Sequence, residues 1–113
     1  MQTLLMKRGE IWLVSLDPAV GSESRKTRPG IIVSNDSANK NLQRVLVVPV
    51  TSAVGTVYPG EFKLEVESRQ AKAMCDQLRA LDKRRLLKKL DSLSPAELKR
   101  LDDALCTALA LPL

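Results

Sequence analysis

The chain has 113 residues, with 18 lysines and arginines against 13 aspartates and glutamates, a net charge of +5, no histidine and two cysteines. That length suits one small domain, 1–113. The lack of histidine excludes Ser-His-Asp and Cys-His nucleophiles, imidazole bases and His-ligated zinc. No apolar run approaches the roughly 20 residues that span a bilayer, and Lys7-Arg8 after the short apolar start reverses a signal peptide's charge order; no membrane association and a cytoplasmic location are expected.

Glu10-Ile-Trp-Leu-Val-Ser-Leu16 reads as a first strand, punctuated by Asp17-Pro18. A second is expected from Gly30 to Ser34, with Arg28-Pro29 at its mouth, and the β-branched run Val45–Val50 as a third, buried on both faces. Glu61–Glu67 alternates cleanly and predicts a strand with one wet face; Met74–Leu81 predicts another. Lys83-Arg84-Arg85 and Lys88-Lys89 read as solvated faces around a short helical turn, able to help bind phosphate. Ser94-Pro95-Ala96-Glu97 then fits a capping box with proline at the first helical position. Leu98, Leu101, Leu105 and Leu109 recur at helical spacing, so an amphipathic helix packs on the sheet. Short strands closed by one helix predict a small α+β half-barrel.

A basic balance favours a polyanionic partner, of which nucleic acid is the commonest. Cys75 and Cys106 are too far apart for a redox CxxC pair or a zinc knuckle and read as reduced thiols. Chemistry must therefore rest on Arg, Lys, Glu, Asp, Ser, Thr or Tyr. The polar loops 17–27 and 52–60 are where such groups collect. The first places a carboxylate beside several cations; the third strand ends in Thr51-Ser52. Taken singly, an Arg-Pro or a Thr-Ser is unspecific.

In order along the chain stand Lys7-Arg8-Gly9-Glu10-Ile11-Trp12, Asp17-Pro18, Gly21-Ser22-Glu23, Arg28-Pro29, Pro49-Val50-Thr51-Ser52 and Asp76-Gln77. This series resembles the MazF/PemK family of toxin ribonucleases from about Lys7 to Leu111. The resemblance implies an antiparallel SH3-like half-barrel with a C-terminal helix, shared with the CcdB gyrase poisons. It also implies a homodimer, single-stranded RNA as substrate, cleavage without a metal or other cofactor, and a MazE-like antitoxin with an acidic C-terminal segment. By motif, Arg28, Thr51 and Glu23 fall on catalytic positions, and Gln77 on a polar position near the groove. Arg25, Lys26, Ser52 and Tyr58 are expected to contact substrate.

The chemistry agrees. Without imidazole, the accessible route through a phosphodiester uses RNA's own 2′-hydroxyl, leaving a 2′,3′-cyclic phosphate and a 5′-hydroxyl and sparing DNA. The protein supplies positioning and charge stabilisation. Arg28 offers a planar fork to phosphate oxygens, although a guanidinium holds its proton too tightly to be a good acid. Thr51 can donate a hydrogen bond. Glu23 is either a base for the 2′-hydroxyl or an ion-pair partner that orients Arg28. Many relatives have a glycine pair between that Glu and Arg, whereas this chain has Ser24-Arg25-Lys26-Thr27, which adds charge and removes backbone freedom. With only Trp12, Tyr58 and Phe62 as aromatics, a broad stacking surface is excluded. Trp12 reads as core or dimer interface, and Tyr58 is the one stacking candidate. Two alternatives on the same fold are a gyrase-inhibiting toxin, which lacks here the C-terminal Trp of those poisons, and a non-catalytic RNA-binding module.

Overall fold

The computed structural model describes residues 5–16 and 26–112. Seven strands and two helices follow one another: β1 (Glu10–Ser15), β2 (Thr27–Ile32), α1 (Asp36–Asn41), β3 (Arg44–Thr51), β4 (Glu61–Val66), β5 (Arg69–Met74), β6 (Arg79–Asp82), β7 (Leu86–Ser92) and α2 (Pro95–Leu109). Single 3-10 turns, Cys75–Gln77 and Lys83–Arg85, precede β6 and β7. All pairings are antiparallel, in the order β4-β5-β3-β2-β1-β7 with β6 also on β3.

β3 organises this half-barrel. On one side it pairs with β2; on the other it pairs first with β6, as far as Val47 opposite Arg79, and then with β5 from Val50 opposite Ala73. Pro49 falls at the exchange, where that edge of the ladder is interrupted and a missing N–H leaves no bond unmade. Pro29 is accommodated by similar logic. Leu16 and Gly9 of the first strand's segment donate N–H to Lys26 O and Ile32 O, so even-numbered residues of β2 face β1. The imide nitrogen of Pro29 therefore faces away from β1, just past the last β2–β3 pair, Gly30 with Pro49. The second strand accordingly begins at Thr27 rather than after Pro29, which places Arg28 and Pro29 inside it.

Alternation sends side chains to two cores. One face carries Ile11, Ile31, Val48, Val50, Phe62, Leu64 and Ala73, covered by Leu101 and Ala104 of α2. The other gathers Trp12, Val14, Ile32, Val45, Val47, Leu81 and Leu86. Trp12 is core, and its indole N–H donates to Glu10 Oε1 at 3.0 Å. Gly30 is required by close approach: a Cβ there would stand 2.5 Å from Val47 Cγ1. Cys75 is buried in the helix-covered core, and desolvation, followed by the nearby Asp76 and Glu61 carboxylates, pushes its thiol up to about 12. It is an inert packing group.

α2 starts as its sequence predicts. Ser94 Oγ accepts from Glu97 N–H at 3.2 Å and Glu97 Oε1 accepts from Ser94 N–H at 2.9 Å. The motif at residues 7–12 proves to be a fastener. Arg8 donates through its N–H to Asp36 (2.7 Å), through Nε to Val33 O (2.8 Å) and through Nη2 to Asp102 (2.9 Å), tying β1's approach to α1 and α2. The two outermost strands, β4 and β7, do not pair with each other. Instead the outward N–H of Glu65 donates to Glu97 at 3.1 Å and that of Glu67 to Asp91 at 3.0 Å.

Three expectations are corrected. Met74–Leu81 is not one strand: β5 ends at Met74, a 3-10 turn follows, and β6 starts at Arg79. The lysines 88 and 89 lie in β7, which pairs with β1 through two register shifts, while Lys83–Arg85 do form the short turn. Leu46, expected inside a doubly buried strand, is 41% exposed, although Val45 and Val47–Val50 are buried.

Candidate active site

The fold brings the two central candidates to one cleft. Gly30 stands opposite Pro49 in the last β2–β3 pair, and Arg28 and Thr51 follow two residues beyond it, each on the same face of its strand as that pair. Both lie on the face of the Trp12 core, at its solvent end. There Leu16, Arg28, Pro49, Thr51, Met74, Gln77 and Arg79 line an open cleft of about 370 Å³. Leu16, Pro49 and Met74 give it apolar walls; the polar groups converge from four separate elements.

Arg28 is exposed and held within a strand, since its backbone pairs with Val14 in β1. Thr51 is half-buried, and its Oγ1 accepts the N–H of Ala53 at 3.1 Å. That bond uses a lone pair and orients the hydroxyl while leaving its proton to be donated. Gln77, in the 3-10 turn after β5, sends Nε2 toward Met74 Sδ at 3.5 Å. Arg79, the first residue of β6, stands opposite Val47 and adds a second guanidinium. Among the described residues, neither Arg28 nor Arg79 has a carboxylate within ion-pair distance. The cleft thus has two planar cations, a hydroxyl and an amide, and no acid among its lining residues. Such a donor set matches the hydrogen-bonding geometry of a phosphate ester.

The other expected residues fall around it. Ser52 does not line the cleft; it borders a smaller groove with Thr27, Arg28, Arg69 and Gln70 on the opposite face of the strands. Lys26 is exposed just before β2, its carbonyl held by Leu16 N–H at 2.9 Å. Tyr58 sits out on the 52–60 loop. Glu23 and Arg25 lie outside the described residues. The residue missed from sequence is Arg79. Its signal is its spacing of two from Leu81, a core residue of the same face, which a strand assigned as Met74–Leu81 would also have carried. Among the described residues no three acidic or thiol side chains converge as metal ligands would, and no helix is long and apolar enough to cross a membrane.

Residues 7–109 match the family described as PemK-like, MazF-like toxins of type II toxin–antitoxin systems. The chain belongs to this family. It is 44% identical over 110 residues to the endoribonuclease MazF9 of Mycobacterium tuberculosis, covering 89% of this chain and 93% of that one. Among solved structures it superposes with a TM-score of 0.80 on a mycobacterial endoribonuclease in complex with its cognate antitoxin, at 26% identity over 96% of this chain and 98% of the other. A MazE–MazF complex from Deinococcus radiodurans shares the fold, with a TM-score of 0.81 at 23% identity, covering 97% of this chain and all of that one. The curled antiparallel sheet closed by a C-terminal helix is therefore the architecture of MazF toxins, as the motif series implies.

Proposed function

We propose that this MazF-family toxin is a sequence-specific endoribonuclease that cleaves single-stranded RNA without a metal, through attack of the substrate's 2′-hydroxyl. The observation that carries the reading is that Arg28 and Thr51, each two residues past the last β2–β3 pair, line one cleft together with Arg79. In the proposed step the 2′-oxygen forms a bond to the adjacent phosphorus and the bond from phosphorus to the 5′-oxygen breaks. The 2′-hydroxyl gives up its proton and the leaving 5′-oxygen takes one. The products are a 2′,3′-cyclic phosphate and a 5′-hydroxyl. Arg28 stabilises the equatorial charge by its two-pronged donors, Thr51 donates to a non-bridging oxygen, and Gln77 addresses the flanking nucleotide. Glu23 serves as base or as the group that orients Arg28. Arg25, Lys26 and Ser52 line the path of the strand, with Tyr58 as a stacking residue.

The partners follow from the same chemistry. An acidic, extended antitoxin segment of MazE type competes with RNA for the cations of the cleft, and the toxin works as a homodimer in the cytoplasm. The test is cleavage of a long unstructured RNA in excess chelator, beside matched DNA and an Arg28→Ala control. Discrete cuts in RNA alone, carrying the two expected end groups and falling about 10²–10³-fold in rate in the variant, support the reading. A folded protein that cuts no RNA refutes it.

A further inference from the structure

We propose that Lys72 and Glu61 hold Tyr58 as a preformed stacking platform for one unpaired nucleobase beside the cleft. The inference rests on the single-stranded RNA substrate proposed above. Lys72 stands directly opposite Thr51 in the β3–β5 pair and shares its face of β5 with Met74, a wall of the cleft. The 52–60 loop meets that face at Thr56 and Tyr58. The Lys72 and Glu61 side chains are only 9% and 10% exposed, with the ammonium 3.1 Å from Glu61 Oε1. The ammonium also donates to Thr56 O at 2.9 Å, so it fastens the loop's middle as well as its end.

Glu61 grips Tyr58 twice. Its Oε1 accepts the Tyr58 N–H at 2.9 Å, and its own N–H donates to Tyr58 O at 2.9 Å. The Lys72 ammonium lies 5.9 Å from the centre of the Tyr58 ring, within cation–π reach. Yet Tyr58 remains 61% exposed. One side of the ring is engaged by a shielded cation while much of the residue is open to solvent.

A shielded ion pair is a poor source of stability, because desolvation offsets most of its attraction and an apolar pair of similar volume does as well. What this pair does accomplish is to fix an exposed aromatic in a loop. A side chain ordered before binding avoids the entropy that a mobile one loses on contact. A nucleobase stacks on such a ring whatever its identity, so Tyr58 adds affinity at one nucleotide rather than sequence choice. Lys72 and Glu61 act through Tyr58 and are positioning residues.

The test uses a labelled single strand with 2′-fluoro sugars throughout, which lacks the attacking hydroxyl, and walks one abasic nucleotide along it. Affinity is read by fluorescence anisotropy for the wild type, Tyr58→Phe, Tyr58→Leu and Lys72→Met, with thermal unfolding alongside. In the wild type one position loses about 5- to 50-fold when its base is removed. Tyr58→Phe keeps that penalty, Tyr58→Leu abolishes it, and Lys72→Met shrinks it; on cleavable RNA Lys72→Met raises KM with kcat within about threefold. An abasic profile for Tyr58→Leu that matches the wild type overturns the platform. A Lys72→Met protein that melts earlier with the penalty intact overturns the positioning role. Cleavage of ordinary RNA is scored separately, and its absence while the penalty persists refutes the nuclease reading alone.

Discussion

Replacing Arg79 with alanine separates binding chemistry from folding. Arg79 is exposed at the start of β6, and among the described residues no carboxylate pairs with it. Its removal leaves no buried partner unsatisfied and creates no cavity, so stability should move by no more than about 0.5 kcal/mol. Its guanidinium nevertheless shares a seven-residue cleft with Arg28 and Thr51. A charge-assisted hydrogen bond to phosphate is worth about 1.5–3 kcal/mol, which converts to a loss of roughly 10- to 150-fold in kcat/KM. Neutralising one fewer phosphate also lowers the slope of log affinity against log salt by about 0.7 for a single strand. The assay is steady-state cleavage of one mapped RNA at several salt concentrations, with thermal unfolding of the same preparations. Arg79→Lys should recover the salt slope but only part of the rate, because an ammonium cannot bind two oxygens in a fork. A kcat/KM within twofold of wild type and an unchanged slope would refute the assignment of Arg79 to the phosphate site.

Gly30→Ala should destabilise the protein by about 1–3 kcal/mol in denaturant unfolding, since the new methyl group meets the Val47 side chain inside a packed core; an unchanged midpoint would mean that β3 yields there freely. Glu61 should show its role in acid. The hydrogen bond from the Tyr58 N–H, then the Lys72 ammonium, outweigh desolvation and hold its carboxyl below the ordinary value of 4.5. A depressed folded value means that the contribution is present above about 4.5 and is lost as pH falls through the folded value. The melting temperature of Glu61→Gln should therefore lie below wild type at pH 7 and converge with it under acid; a constant gap from pH 7 to 3 would contradict the pairing.

What could be read from the residues divides along physical lines. β1, β3, β4 and α2 announce themselves because large apolar side chains repeat at the period of the element, and because Ser94 and Glu97 complete a cap within four residues. β5 does not. Its core side is built from Ala71 and Ala73, too small to mark a period, and its other side includes a buried lysine whose partner comes from β4. β7 is hidden by two register shifts that break alternation in Leu-Leu-Lys-Lys-Leu. α1 has no apolar stripe; it rests on the Asn35 cap and on Asn39, which bonds Ser34 through both side-chain groups. At the site, Arg28, Thr51 and Gln77 were visible through motif order, and the cleft brings all three together. Arg79 was not: its spacing of two from Leu81 marks its face, but its place beside Thr51 depends on β3 exchanging partners at Pro49, a tertiary event.

The carboxylates that cap the free margin of β4 have a consequence for assembly. Unpaired strand margins are templates on which other chains add themselves, and proteins blunt them to avoid fibrous growth. Here Glu97 and Asp91 already occupy the outward amides of Glu65 and Glu67. An incoming strand would have to displace both, and a strand rich in acidic residues would meet their charge as well. The margin of β4 is thereby closed to strand addition by side chains of the same chain.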